Sequence, residues 1–148
     1  MNAERAREFL LSLPHVVETQ QWGGILFWLG DKAIGGKMFV MLNPDPGEGF
    51  PISYPAGQAR YNELLELEGL RPAPYMARIF WVAAERWDVF RDREWQEQLT
   101  VAHEITYAKL PPKTKTILAM PKTAQKKLVT ERRKVLAVQA DAKKQTKT

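Results

Sequence analysis

Apolar residues recur at spacings of three and four in three stretches of the chain, and this period predicts three amphipathic helices. The stretches cover residues 3–13, 56–67 and 93–108. Pro14 ends the first helix because proline cannot continue it, and Gly69 stands where a glycine would terminate the second. Asp92 is predicted to cap the third.

β-Structure is predicted between these helices. Four stretches combine period-two alternation or continuous apolar runs with turn residues at their ends: residues 24–30, 37–43, 50–54 and 78–84. The first and the last of them are apolar on both sides. A strand of that kind needs cover on both faces of its sheet, or it presents a binding surface.

The charged residues divide the chain after Pro111. Residues 1–111 hold 11 basic and 15 acidic residues and carry a net charge of −4, whereas residues 112–148 hold 11 basic and two acidic residues and carry +9. We therefore predict one domain in residues 1–111 and a basic C-terminal tail in residues 112–148. The tail has a helix-forming composition over residues 122–142, so we predict that it is partly helical or disordered.

The sequence carries no signal for a catalytic, metal or cofactor site. It has no cysteine, which excludes disulfides and thiolate zinc sites. His15 and His103 stand outside any metal-binding motif, and Gly35-Gly36-Lys37 lacks the first glycine and the Ser/Thr of a phosphate-binding loop. We predict that the protein is not an enzyme. No apolar stretch approaches 18 uncharged residues and the N-terminus lacks a signal-peptide pattern, so a cytoplasmic protein without a membrane segment is expected.

Eight short motifs follow one another along residues 5–111. They are Leu13-Pro14-His15-Val16-Val17-Glu18, Trp22-Gly23, Gly36-Lys37-Met38-Phe39-Val40, Gly69-Leu70-Arg71-Pro72, Pro74-Tyr75-Met76-Ala77-Arg78, Trp81-Val82, Tyr107 and Lys109-Leu110-Pro111. In order and spacing this set resembles the MmcQ/YjbR family, and the tail lies outside the resemblance. The resemblance implies the CyaY-like α+β fold, in which helices pack on one face of an antiparallel sheet.

The CyaY-like fold resembles the double-wing DNA-binding domain of a phage transcription factor, so the family resemblance also implies DNA binding. One position departs from the family pattern. Members often carry a lysine just after the third strand, where this chain has Ile52-Ser53-Tyr54-Pro55. If that lysine served an anionic ligand, this chain would lack the contact.

Tryptophan is frequent in this chain. The five residues are Trp22, Trp28, Trp81, Trp87 and Trp95. For any single one of them, a place in the core or over the second sheet face is the favoured interpretation. The functional hypothesis is that one sheet face offers an aromatic surface ringed by Lys37, Arg60 and Arg78, suited to a base or another planar ligand.

The basic tail is the strongest electrostatic feature, because lysine and arginine near phosphates displace condensed counterions. The tail residues predicted to contact nucleic acid are Lys122, Lys126, Lys127, Arg132, Arg133 and Lys134. We predict a monomeric, non-enzymatic protein that binds DNA or another polyanion mainly through them.

Two alternatives compete with this prediction. The protein could be a module that binds a protein or a small ligand on the aromatic sheet face, with the tail only a solubility element. The tail could instead be a helix docked on the acidic body through Leu128, Val135 and Val138.

Overall fold

The computed structural model describes residues 1–146, which form five α-helices and six β-strands. The helices are α1 (Ala3–Ser12), α2 (Gln58–Leu65), α3 (Asp92–Ala108), α4 (Pro112–Leu118) and α5 (Lys122–Thr146). The strands are β1 (Val16–Gln21), β2 (Gly24–Leu29), β3 (Lys37–Leu42), β4 (Ile52–Pro55), β5 (Leu70–Pro72) and β6 (Trp81–Ala84). Residues 147 and 148 of the predicted tail lie outside the described part of the chain.

All six strands join one antiparallel sheet in the order β1-β2-β3-β4-β6-β5. The first four strands are neighbours in chain order, and β6 then pairs with β4 and leaves β5 at the edge. The register shifts between β2 and β3, where Phe27 faces Val40 and Trp28 faces Met38, so Phe39 has no partner. This bulge directs both Phe39 and Val40 toward the helices, where both are fully buried.

The main core lies between one face of this sheet and the helices. Trp95 and Leu99 of α3 pack there with Leu10 of α1 and Leu64 of α2. Tyr54 of β4 is buried among them, and its hydroxyl donates a 3.0 Å hydrogen bond to Gln98 Oε1, so the buried phenol has a partner. The predicted α+β fold, with an antiparallel sheet and helices on one face, is confirmed.

The opposite sheet face, called the open face below, is apolar and only partly covered. Trp81 and Ala83 of β6 are buried on it, and Met38 and Met41 of β3 are half-buried. The loops that connect β3 to β4 and β5 to β6 supply Phe50, Ala73 and Met76 to this second cluster. The covered part of the open face therefore lies near β6, and the part near β1 and β2 lacks this cover.

Four details of the predicted elements are corrected by the structure. Strands β1 and β5 were not predicted. The strand predicted over residues 78–84 begins only at Trp81, because residues 77–79 form a 3₁₀ turn and Phe80 has a positive φ of 64°. Asp92 is the first residue of α3 and not its cap; Glu94 Oε1 accepts the backbone N–H of Arg91 at 3.0 Å instead.

Burial continues past the predicted domain boundary at residue 111. Thr114 and Leu118 of α4 are 2% and 4% exposed, and Leu118 belongs to the main core. Gly35 has φ 85°, and a Cβ there would lie 2.4 Å from Thr114 Oγ1, so a glycine permits the close approach of α4. Helix α4 thus packs as part of the folded body, and the separate segment of the tail begins with α5.

Replacing Thr114 with valine is expected to lower the free energy of unfolding by about 1 kcal/mol, because Thr114 Oγ1 donates a partly buried 2.8 Å hydrogen bond to Ile34 O. Urea unfolding of the full chain measures the loss. The matched control is Thr116→Val on the same helix, since Thr116 is exposed and bonds only Pro112 O within α4. Equal stability of the two variants would show that α4 is not anchored through Thr114.

Candidate nucleic-acid interface

Helix α5 starts against the body and then extends away from it. Gln125 Nε2 donates to Leu118 O at 3.1 Å and to Met120 O at 2.7 Å, which ties the start of α5 to the end of α4. Leu128 and Val129 are half-buried, but every residue from 131 to 144 is exposed. The first two turns of the helix are therefore partly buried against the body, and the later residues are exposed, although Arg133 and Val135 still face body residues.

The predicted docking stripe is only partly used. Leu128 and Val135 both line a cleft with Ile34 and Pro111, although Val135 is 44% exposed, whereas Val138 is 68% exposed and lies outside the cleft. Of the three residues predicted to dock the tail on the body, Leu128 and Val135 therefore face the body and Val138 does not.

Arg133 of α5 forms an ion pair with the acidic body. Arg133 Nη2 pairs with Asp31 Oδ2, beside the 3₁₀ turn of residues 32–34. The other five predicted tail residues are exposed and, among the described residues, have no carboxylate within 4.0 Å: Lys122, Lys126, Lys127, Arg132 and Lys134. The body carboxylates therefore neutralise one of the six predicted residues and leave five cationic side chains facing solvent.

Three of these lysines share one side of α5 with Thr123, Thr130 and Glu131, and we call Lys126, Lys127 and Lys134 the outer stripe. Positions 126, 130 and 134 are four apart, so they lie above one another on a helix. At a rise of 1.5 Å per residue the outer stripe is about 12 Å long. The helix therefore holds these charges in fixed positions along one side, whereas a disordered tail would not.

A groove of about 910 Å³ runs between α5 and the end of α1. Lys122, Arg133, Asp31 and His15 line it, together with Lys126, which this groove shares with the outer stripe. Partial burial, and to a lesser extent the nearby His103, lower the pKa of His15 below its ordinary value, so its imidazole is neutral at pH 7. The positive charge of this groove therefore comes from α5.

The open face carries another groove, of about 530 Å³, which we call the tryptophan groove. Its lining residues are Gln21, Trp22, Leu26, Trp28, Lys32 and Met38. Trp28 is half-buried, and its Nε1 donates a 2.9 Å hydrogen bond to Thr19 Oγ1, which fixes the ring on the sheet. Trp22 stands in the β1–β2 turn and is 85% exposed. Two indoles and one lysine thus share a shallow surface on the least covered part of the open face.

The predicted ring of basic residues does not assemble around the open face. Lys37 faces Leu29 across β2 and β3, so it lies on the helix side of the sheet. Arg60 belongs to α2, which is also on that side, and Arg78 is exposed in the 77–79 turn. The cation beside the tryptophans is Lys32, which sequence reasoning missed.

The described part of the chain gives no metal site. Among residues 1–146, no group of three His, Asp or Glu side chains could hold a metal ion. His103 lies beside Pro14, with Nε2 2.8 Å from the carbonyl oxygen, and packs edge-on against Phe39. No helix within the described residues combines the length and apolar character needed to cross a membrane.

The fold is similar to that in the crystal structure of Deinococcus radiodurans protein DR2400, which contains a DUF419 domain. The two chains share 17% sequence identity with a TM-score of 0.69, and the match covers 81% of this chain and 89% of that one. At this identity the likeness shows the fold. DUF419 also designates the MmcQ/YjbR family, so this neighbour agrees with the resemblance in sequence. No protein-family model matches the chain, and no curated protein matches it.

Proposed function

We propose that the chain is a non-enzymatic, cytoplasmic DNA-binding protein of MmcQ/YjbR type that acts as a monomer and contacts phosphates mainly through α5. The single observation that carries this proposal is the outer stripe. Lys126, Lys127 and Lys134 are exposed on one side of an anchored helix, and among the described residues no carboxylate lies within 4.0 Å of them.

The charge distribution supports a polyanionic partner. A 12 Å length of duplex carries about seven phosphate charges at one per 1.7 Å, which is ample for the lysines of the outer stripe. Each lysine or arginine that approaches a phosphate releases condensed counterions, and this entropy gain does not depend on base sequence. The acidic remainder of the chain, with a net charge of −4 over residues 1–111, favours a phosphate backbone lying along α5 over one spread across the body.

The folded state of α5 also lowers the cost of binding. A disordered basic tail must lose backbone entropy when it orders on DNA. Here the hydrogen bonds of Gln125 and the packing of Leu128 and Val129 hold the first turns of the helix before any ligand arrives. More of the phosphate attraction therefore remains as net affinity.

The test is a fluorescence-anisotropy titration of the full chain against a labelled duplex at 50 and 200 mM salt. If the five open tail residues all contact phosphates, log K should fall with log salt at a slope of about −4.5, a loss of about 500-fold between the two conditions. Two duplexes of unrelated sequence should bind equally well. Absence of binding at 50 mM salt, both to the duplex and to a single strand of the same sequence, would refute the proposed function.

A further inference from the structure

We propose that the tryptophan groove stacks an unpaired nucleobase, so that the protein prefers single-stranded over double-stranded nucleic acid. This inference rests on the proposed function, because it identifies the class of nucleic acid that the same surface takes. It adds a site on the sheet to the phosphate contacts of α5.

The first support is the backbone of the β1–β2 turn. Gln21 pairs with Gly24, so Trp22 and Gly23 form a two-residue hairpin loop, and their φ values of 54° and 76° are both positive. This is the geometry of a type I′ turn, in which Asn-Gly is the favoured pair. Positive φ is unfavourable for a bulky side chain such as tryptophan.

Burial does not compensate for this unfavourable conformation, since the indole of Trp22 is 85% exposed. An exposed aromatic residue in a disfavoured backbone conformation contributes little to stability. Strain of this kind is concentrated at binding and active sites. Tyr75 shares both features, with φ 64° and 98% exposure, so backbone and exposure alone do not single out Trp22; its place among the lining residues of the tryptophan groove does.

The second support is the chemistry of the groove. Trp22 and Trp28 supply aromatic surface, Met38 is half-buried beside them, and Leu26 is buried beneath. Stacking on aromatic side chains is the common way in which proteins hold unpaired bases, and it tolerates any base. Lys32 provides a cation for the phosphate attached to such a base, and none of the described residues that line the groove is acidic.

The third support is continuity with α5. Lys32 directly follows Asp31, whose carboxylate pairs with Arg133, and α5 packs on the turn of residues 32–34. A strand that leaves the tryptophan groove at Lys32 therefore arrives at the basic helix. Bases inside a duplex are stacked on each other and cannot enter the groove without being extruded. A single strand can occupy both surfaces at once.

Trp22→Asn tests this inference in the full chain, because asparagine suits the type I′ turn and removes only the indole. The probes are a fluorescein-labelled 15-nucleotide oligo(dT) and a 15-base-pair duplex, both at 50 mM salt. The wild-type protein should bind the oligo(dT) more tightly than the duplex. Trp22→Asn should weaken oligo(dT) binding by about 5- to 150-fold and change duplex binding by less than twofold.

Tyr75→Asn is the matched control. Tyr75 is 98% exposed, has a positive φ of 64° and lies outside the tryptophan groove, so the same substitution should leave both affinities unchanged. Unchanged oligo(dT) binding in Trp22→Asn, or a wild-type preference for duplex, would overturn the inference while the proposed function stands. A wild-type protein that binds neither probe would refute both.

Discussion

Replacing Lys126, Lys127 and Lys134 with glutamine is expected to reduce the affinity for duplex DNA at 50 mM salt by a factor on the order of 10². These three lysines form the outer stripe of α5, where their ammonium groups face solvent. Losing three phosphate contacts should also make the slope of log K against log salt shallower by about 2.7. Anisotropy titrations of variant and wild type over a salt series measure both quantities. Helicity should be preserved, since glutamine and lysine have similar helix propensity.

Net charge alone could produce such a loss, so a second triple variant serves as the control. Arg60, Arg78 and Arg93 replaced by glutamine also lowers the formal net charge from +5 to +2, and none of the three lines a groove along α5. This variant should keep most of the affinity and of the salt slope. It also tests the sequence-based prediction that Arg60 and Arg78 contact nucleic acid. Equal losses in both triple variants would mean that overall charge, and not the outer stripe, governs binding.

The elements predicted correctly are those with a strong apolar period. The three amphipathic helices correspond to α1, α2 and α3, and the apolar stretch at residues 24–30 corresponds to β2. Strand β1 was missed because its last four residues, Glu18 to Gln21, are all polar; the strand lies at the sheet edge, where polar side chains can stay exposed to solvent. Strand β5 was missed because it has three residues and ends at Pro72.

The charge of the candidate site could be predicted, but its arrangement could not. The basic residues of α5 could be identified by counting lysines and arginines along the sequence, because a solvent-exposed charge needs no tertiary contact to be present. The position of Lys37 was wrong because strict alternation would place it on the same face as Met41. The bulge at Phe39 inserts one residue between them and turns Lys37 to the helix side. Composition and period carry no signal for a bulge of this kind.

The tryptophan groove had a signal in the sequence that was not used. Trp22-Gly23 is a two-residue turn pair directly before the apolar stretch that begins at Gly24, which is the position of the turn in a type I′ hairpin. That hairpin would have placed Trp22 at a turn and Trp28 on the sheet below it. The cation of the groove, Lys32, could not be found in this way, because its position depends on the 3₁₀ turn between β2 and β3.

Replacing Trp95 with alanine is expected to lower the free energy of unfolding by about 3–5 kcal/mol, the range for deleting a large buried aromatic side chain. Trp95 is fully buried on α3, and its ring packs edge-on against Tyr54, Trp87 and Phe90 at centroid distances of 6.1, 5.2 and 5.0 Å. Its Nε1 also donates a 2.7 Å hydrogen bond to Trp87 O, which would lose its donor. Urea unfolding monitored by far-UV circular dichroism measures the loss.

Trp22→Ala is the matched comparison, because it removes the same side chain from a surface turn where the indole is 85% exposed. Its effect on the free energy of unfolding should stay within about 0.5 kcal/mol. The two substitutions therefore separate a tryptophan that stabilises the core from one whose contribution is to binding. A loss of 3 kcal/mol or more in Trp22→Ala would mean that the indole packs on the sheet and stabilises the fold. In that case Trp22 would not be available to a base, and the aromatic surface would be part of the core.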